Sequence, residues 1–179
     1  MSQFVASQSS VTFSGRTRDM AAVIDPRLKE SLALWAKGRR YADLVLRASL
    51  AIESLRTAIG SMAIADVVAD GASRPRFYYR LYGMHMAEAT GEYTGRWADQ
   101  IEPAAYSRLV AAQYEEAVAA RVPLLHTIVA EDGQGMVSYE RLTVPLSTGT
   151  DAVAQIWMTT AGIGPFGRRL WGRRPYFTA

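Results

Sequence analysis

Few residues in this 179-residue chain could carry chemistry. Its two histidines, His85 and His126, fall in different predicted elements. Neither has a carboxylate or thiol at a spacing that would complete a three- or four-ligand metal site. There is no cysteine, which excludes disulfides, thiolate ligands, a cysteine nucleophile and a flavin–cysteine adduct. The serines and threonines lack a G-x-S-x-G context and any triad order. Glu88, Glu92, Asp99 and Glu140 could act as general bases only with a partner, and nothing in the spacing supplies one. Gly91-Glu92-Tyr93-Thr94-Gly95-Arg96 lacks the Gly-Lys-Ser/Thr ending of a phosphate loop, and its glycines suit helix ends and turns. The expectation is a non-enzymatic chain with no catalytic residue, no metal site and no cofactor.

Binding is the chemistry that remains. Phe77, Tyr79, His85, Trp97, Tyr106, Tyr139 and Trp157 could line a small-molecule pocket between a sheet and its helices, or fill the core there. Arg80 and Glu140 lie in predicted strands among large apolar neighbours, where an unpaired charge is costly. They are expected to pair with each other or with other polar groups at the sheet, as a structural bridge or a ligand contact. Arg168, Arg169, Trp171, Arg173 and Arg174 interleave charge with aromatic surface and suit an anionic membrane, at about 1 kcal/mol per cation. They equally suit nucleic acid or an acidic protein. Those four arginines leave 16 basic against 17 acidic residues in the remaining chain. A nearly neutral body speaks against nucleic acid.

The elements that must position these residues follow from patterning. An apolar fraction of 49% and a charged fraction of 21% fit one globular domain. No apolar run reaches the roughly 18–20 residues a membrane span needs. Residues 1–24 are Ser-rich and are expected to be a flexible tail, with no secretory signal. Asp25-Pro26 opens a helix with Leu28, Leu32 and Trp35 on one stripe, ending at Gly38. The stretch from Ala42 to Ile59 is expected to be helical in part. Met62–Ala69 and the alternating run Arg76–Tyr82 form a hairpin, with Gly83 at a sharp exit from it. A helical segment follows from Met84 to Ala89, then a long helix from Pro103 to about Ala120. Strands over Val122–Glu131, Met136–Leu146 and Ala152–Ala161, joined by tight loops, form an antiparallel meander. The expected fold is α+β: a five-stranded antiparallel sheet with helices on one face and N-terminal helices. Val153–Met158 is apolar on both faces, so either the Leu28–Leu32–Trp35 stripe or a second copy of the protein should cover its far side. Three glycines and two prolines within residues 163–177 argue against a helix there.

Several short runs then become recognisable together. They are Asp25-Pro26-Arg27-Leu28 with Trp35, Ala65-Asp66-Val67, Phe77-Tyr78-Tyr79-Arg80-Leu81-Tyr82-Gly83, Thr94-Gly95-Arg96, and Tyr139-Glu140-Arg141-Leu142 with Pro145-Leu146. From about Asp25 to Ala161 the chain resembles a bacterial family of small, often stand-alone PAS-like proteins. The resemblance implies a PAS fold with an N-terminal helical extension over residues 25–161. Residues 1–24 and the basic-aromatic residues 162–179 flank it as tails. It also implies a sensory or regulatory role without catalytic machinery. A signalling-protein partner, a homodimer and a small-molecule ligand between sheet and helices are the expected associations. PAS-like oxygen sensors hold haem through a histidine on the long helix, and the helix from Pro103 has none. Two other readings compete: a cone-shaped α+β enzyme or binding fold, and a membrane-surface adaptor using the basic tail. The expected location is the cytoplasm, including the periphery of the inner membrane.

Overall fold

The computed structural model describes residues 11–39, 44–52, 55–69, 71 and 74–171, with the backbone alone from residue 168. Among them are six strands: β1 (Thr12–Arg18), β2 (Met62–Val68), β3 (Arg76–Tyr82), β4 (Leu124–Asp132), β5 (Gly135–Leu146) and β6 (Gln155–Ala161). Four α-helices accompany them: α1 (Pro26–Arg39), α2 (Met84–Thr90), α3 (Ala104–Ala120) and α4 (Ile163–Trp171). The strands make one antiparallel sheet in the order β1-β4-β5-β6-β2-β3. Beta-2 and β3 form a hairpin and β4 to β6 a meander. Pairing of β2 with β6 joins them, with Met62 opposite Thr159.

The expected five-stranded sheet therefore has a sixth strand. Its residues, Thr12–Arg18, fall where a flexible tail was expected, and they pair with β4 from Thr12 opposite Glu131 to Arg18 opposite Leu125. Apart from Phe13 the strand is exposed, so backbone pairing rather than side-chain burial holds it. The helical reading of Ala42–Ile59 also fails. Among its described residues only short 3-10 turns occur, at Arg47–Ser49 and from Ile59. Val45, Leu50, Ile52 and Leu55 still bury as an irregular layer.

Period-two alternation in the central strands supplies apolar residues to both faces. On the inner face Ala63, Ala65, Phe77, Tyr79, Ile128, Tyr139, Ile156 and Met158 meet α2, α3 and α4. On the outer face Met62, Ile64, Leu125, Leu142, Val144, Leu146 and Trp157 meet α1. Leu28 is fully buried there, with Leu32 and Trp35 packed against the same cluster, so the Leu28–Leu32–Trp35 stripe is the helix-packing face over β5 and β6. Each fully buried residue of this kind contributes about 1.5–3 kcal/mol.

Polar contacts fix α1 in place. Asp25 accepts the Arg27 N–H at 2.9 Å and is gripped by the Arg27 guanidinium at 2.7 Å, which holds its carboxyl below the usual range. The Ser31 and Thr159 hydroxyls meet at 2.8 Å under the helix. Glu30 accepts the backbone N–H groups of Arg56, Thr57 and Ala58 and the Thr57 hydroxyl, capping the turn before β2. At the exit from β3, a Cβ on Gly83 would stand 2.5 Å from the Gly60 carbonyl oxygen, so only glycine fits. No helix among the described residues is long and apolar enough to cross a membrane.

The last helix, α4, runs through the segment whose glycines and prolines argued against one. Pro165 occupies its first turn, where a missing N–H costs nothing. Gly167 lies so close to α2 that a Cβ would meet the Ala89 carbonyl oxygen at 2.3 Å.

Candidate functional site: a tyrosine-lined interior around Arg141

On the inner face of β5, Tyr139, Arg141 and Thr143 project side by side, as residues two apart in a strand must. Arg141 is only 2% exposed. One guanidinium nitrogen donates to the Gln113 side-chain oxygen on α3, and another lies 3.5 Å from the Tyr139 hydroxyl. The guanidinium carbon sits 4.8 Å from the centre of the Tyr114 ring, a cation–π distance. Among the described residues no carboxylate lies within ion-pair reach of Arg141.

Tyrosines close the rest of the shell. Tyr79 and Tyr114 share a hydrogen bond at 2.8 Å, as do Tyr106 and Tyr139 at 2.6 Å. Burial raises all of Tyr79, Tyr82, Tyr106 and Tyr114 above the ordinary phenol value, so none supplies a phenolate at neutral pH. Burial works against the charge on Arg141, but a guanidinium keeps its proton at any physiological pH. The outcome is a buried cation without a counter-charge among the described residues.

Three buried polar atoms in this region have no hydrogen-bond partner among the described residues: Arg141 Nε, Thr143 Oγ1 and His126 Nδ1. His126 is the direct cross-strand neighbour of Arg141, so both point to the same face. Its Nε2 meets Glu116 at 3.0 Å, and Glu116 also accepts from Thr17 at 2.8 Å, tying α3 to β1 and β4. Burial lowers the His126 pKa, Glu116 partly offsets this, and the Arg141 charge adds to the lowering.

Of the residues expected to line a pocket, Phe77, Tyr79, Tyr106 and Tyr139 do meet in this interior. Three others do not. Trp157 alternates with the inward-facing Ile156 and Met158, so it points to the opposite face beneath α1. Trp97 lies on the outside, its ring 5.1 Å from Tyr78 and capped by Arg76 at 4.1 Å, lining a 280 Å³ groove with Asp66, Val68, Tyr78 and Arg80. His85 is exposed on α2 and reaches Ser61 at 3.2 Å, in a separate 380 Å³ cleft with Arg27, Glu88 and the start of α4.

Arg80 and Glu140 do not pair with each other. Arg80 bonds Asp66 at 2.5 Å across the hairpin, and Glu140 bonds Arg18 of β1 at 3.1 Å. Both lie on the outer side of the sheet, because each alternates with an inward neighbour, Tyr79 or Arg141. Arg168, Arg169 and Trp171 belong to the backbone of α4, while Arg173 and Arg174 lie outside the described residues. No group of three or more metal-ligating acids or histidines occurs among the described residues.

Sequence reasoning passed over Arg141 in favour of its neighbour Glu140. The signal was available: in Tyr139-Glu140-Arg141-Leu142, alternation sends Arg141 to the same face as Tyr139. Gln113 and Tyr114 belong to the buried side of α3 for the same kind of reason, a helical period that returns from Tyr106 through Val110.

No family model matches the chain, and no curated protein matches it. Among solved structures the chain is similar to an RNA-binding light-oxygen-voltage receptor, at 14% identity and a TM-score of 0.35. That alignment covers 90% of this chain and 41% of the other, so the chain spans less than half the length of the structure it matches.

Proposed function

We propose that the protein is a non-enzymatic, PAS-like sensory or regulatory protein. It acts through protein–protein contacts that a small molecule in the sheet–helix interior modulates. One observation carries this reading. The buried Arg141 reaches α3 through Gln113 and lies beside Tyr139, against which Phe166 of α4 packs with ring centres 4.7 Å apart. A change at the guanidinium therefore acts on two helices at once. A ligand shifts such an equilibrium only by binding one arrangement better than the other. The hairpin, helices and meander occur in the order that the PAS-like runs in the sequence imply, which supports the same reading.

The test is native mass spectrometry of protein purified from its own host, followed by hydrogen exchange before and after removal of any bound compound. A stoichiometric compound whose removal changes protection in α3 and α4 supports the proposal. An empty protein, with α3 and α4 unaltered by host extract, counts against it. We also propose a homodimer and a signalling-protein partner; sedimentation showing only monomer at micromolar concentration would remove the first.

Membrane contact through Arg168, Arg169, Trp171, Arg173 and Arg174 is the second reading, and the basic character of α4 and the residues after it favours it. Sedimentation with anionic vesicles tests it. The shortened chain for comparison should end after Gly167, which removes all five of these residues and keeps Phe166 in the core.

A further inference from the structure

We propose that the interior site binds a small carboxylate, with Arg141 as its counter-charge and the Thr143 hydroxyl as a flanking hydrogen-bond donor. This rests on the ligand-modulated reading above and names the ligand's chemistry. Arg141 cannot shed its proton to escape burial. An isolated buried cation is among the costliest arrangements a core can hold, and a paired one is far cheaper. Among the described residues no carboxylate pairs with Arg141, and burial keeps the Tyr79, Tyr106 and Tyr114 phenols protonated.

The unpartnered atoms point to the same ligand class. Arg141 Nε–H is a donor and the Thr143 hydroxyl can be one; both are fully buried on one face of one strand. His126 takes no part in holding the anion: its Nε2–H donates to the Glu116 carboxylate, which leaves Nδ1 of the neutral ring an acceptor. A planar guanidinium edge beside a hydroxyl matches the two oxygens of a carboxylate better than a single spherical ion. Around them stand Ile128, Val110 and Met158, all buried and apolar, so the ligand's remainder is short and hydrocarbon. The interior is filled by its own side chains, which limits the ligand to a few heavy atoms and requires α3 to yield as it enters.

The experiment measures thermal unfolding of the full chain in sodium acetate and in sodium chloride at matched ionic strength. Wild type should show a saturable rise with acetate, roughly 5–10 °C at a hundred times Kd, that chloride does not reproduce. Arg141→Met should abolish the rise while unfolding at a higher temperature than acetate-free wild type, because it removes the unpaired charge. Thr143→Val is nearly isosteric and loses no protein hydrogen bond. It should leave the acetate-free protein at least as stable and weaken the acetate response several-fold.

An absent acetate response in wild type overturns the proposal, as does an equal response to chloride. If Arg141→Met does not fold, an undiminished response in Thr143→Val overturns it. The sensory reading fails separately: acetate binding lost in Arg141→Met, with hydrogen exchange in α3 and α4 indifferent to acetate, keeps the site and removes the regulation. A neutral native compound retained by Arg141→Met removes the carboxylate site and keeps the regulation.

Discussion

Phe166 of α4 stands edge-on to Tyr139 of β5, their ring centres 4.7 Å apart and their planes at 69°. The helix that ends the described chain is thus anchored beside Arg141, in the same interior that α3 covers. Replacing Phe166 with Ala should cost about 3–5 kcal/mol in a urea unfolding experiment. Hydrogen exchange should show α4 losing protection before the sheet does. Equal loss across the whole protein would mean that α4 is not a separate unit.

Gly167 tests the contact between α2 and α4 more gently. Glycine to alanine in an exposed helix interior normally gains up to about 1 kcal/mol. Here the added Cβ would meet the Ala89 carbonyl oxygen at 2.3 Å and the Ala89 Cα and Cβ at 2.6 Å. Overpacking of that kind costs about 1–3 kcal/mol, so Gly167→Ala should lower the melting temperature. A rise would mean that the two helices separate easily.

Acidification should destabilise the fold through His126 and Glu116. Burial lowers the His126 pKa below 6.5 in the folded protein, and the His126 hydrogen bond lowers that of Glu116 below 4.5. In both cases the unfolded chain binds more protons, so stability rises with pH through each window. It is complete above the ordinary histidine value, falls from there down to the lowered value of folded His126, and falls again between the ordinary glutamate value and the lowered one of Glu116. Melting temperatures measured between about pH 7 and pH 5 should decline in wild type and flatten in His126→Gln. An unchanged slope in the variant would assign the decline to other groups.

Arg80→Ala should change stability by less than about 1 kcal/mol, because its bond to Asp66 is at the surface and Asp66 keeps Gln155 as a donor at 2.8 Å. Thermal unfolding of the single variant is sufficient. A loss above about 2 kcal/mol would mean that Arg80 stacked on Tyr78 braces the hairpin.

Much of this architecture is legible in residue patterning, and the failures have physical causes. Leu28, Leu32 and Trp35 show a 3.6-residue period because α1 buries one stripe. Gly83 marks a turn where the chain leaves no room for a side chain. Beta-1 has almost no such imprint: its side chains are exposed, and its pairing is made by backbone groups that every residue carries. In α4 the glycines and proline were weighed as helix breakers. Pro165 falls in the tolerant first turn, and Gly167 is needed for close packing. Arg141 escaped notice because β5 is covered on both faces. In such a strand a charge cannot be assigned to solvent by alternation alone, and the outward Glu140 looked equally costly.

The order of the sheet sets when the chain can fold. Thr12 pairs with Glu131, and Met62 with Thr159, so the first strand waits for the fourth and the early hairpin waits for the last strand. The apolar stripe of α1 likewise has nothing to cover until β5 and β6 exist. A ribosome releasing this chain from its N-terminus thus exposes Leu28, Trp35 and an unpaired hairpin edge through most of synthesis. Assembly is late, dominated by contacts distant in sequence, and slow for a domain of this size.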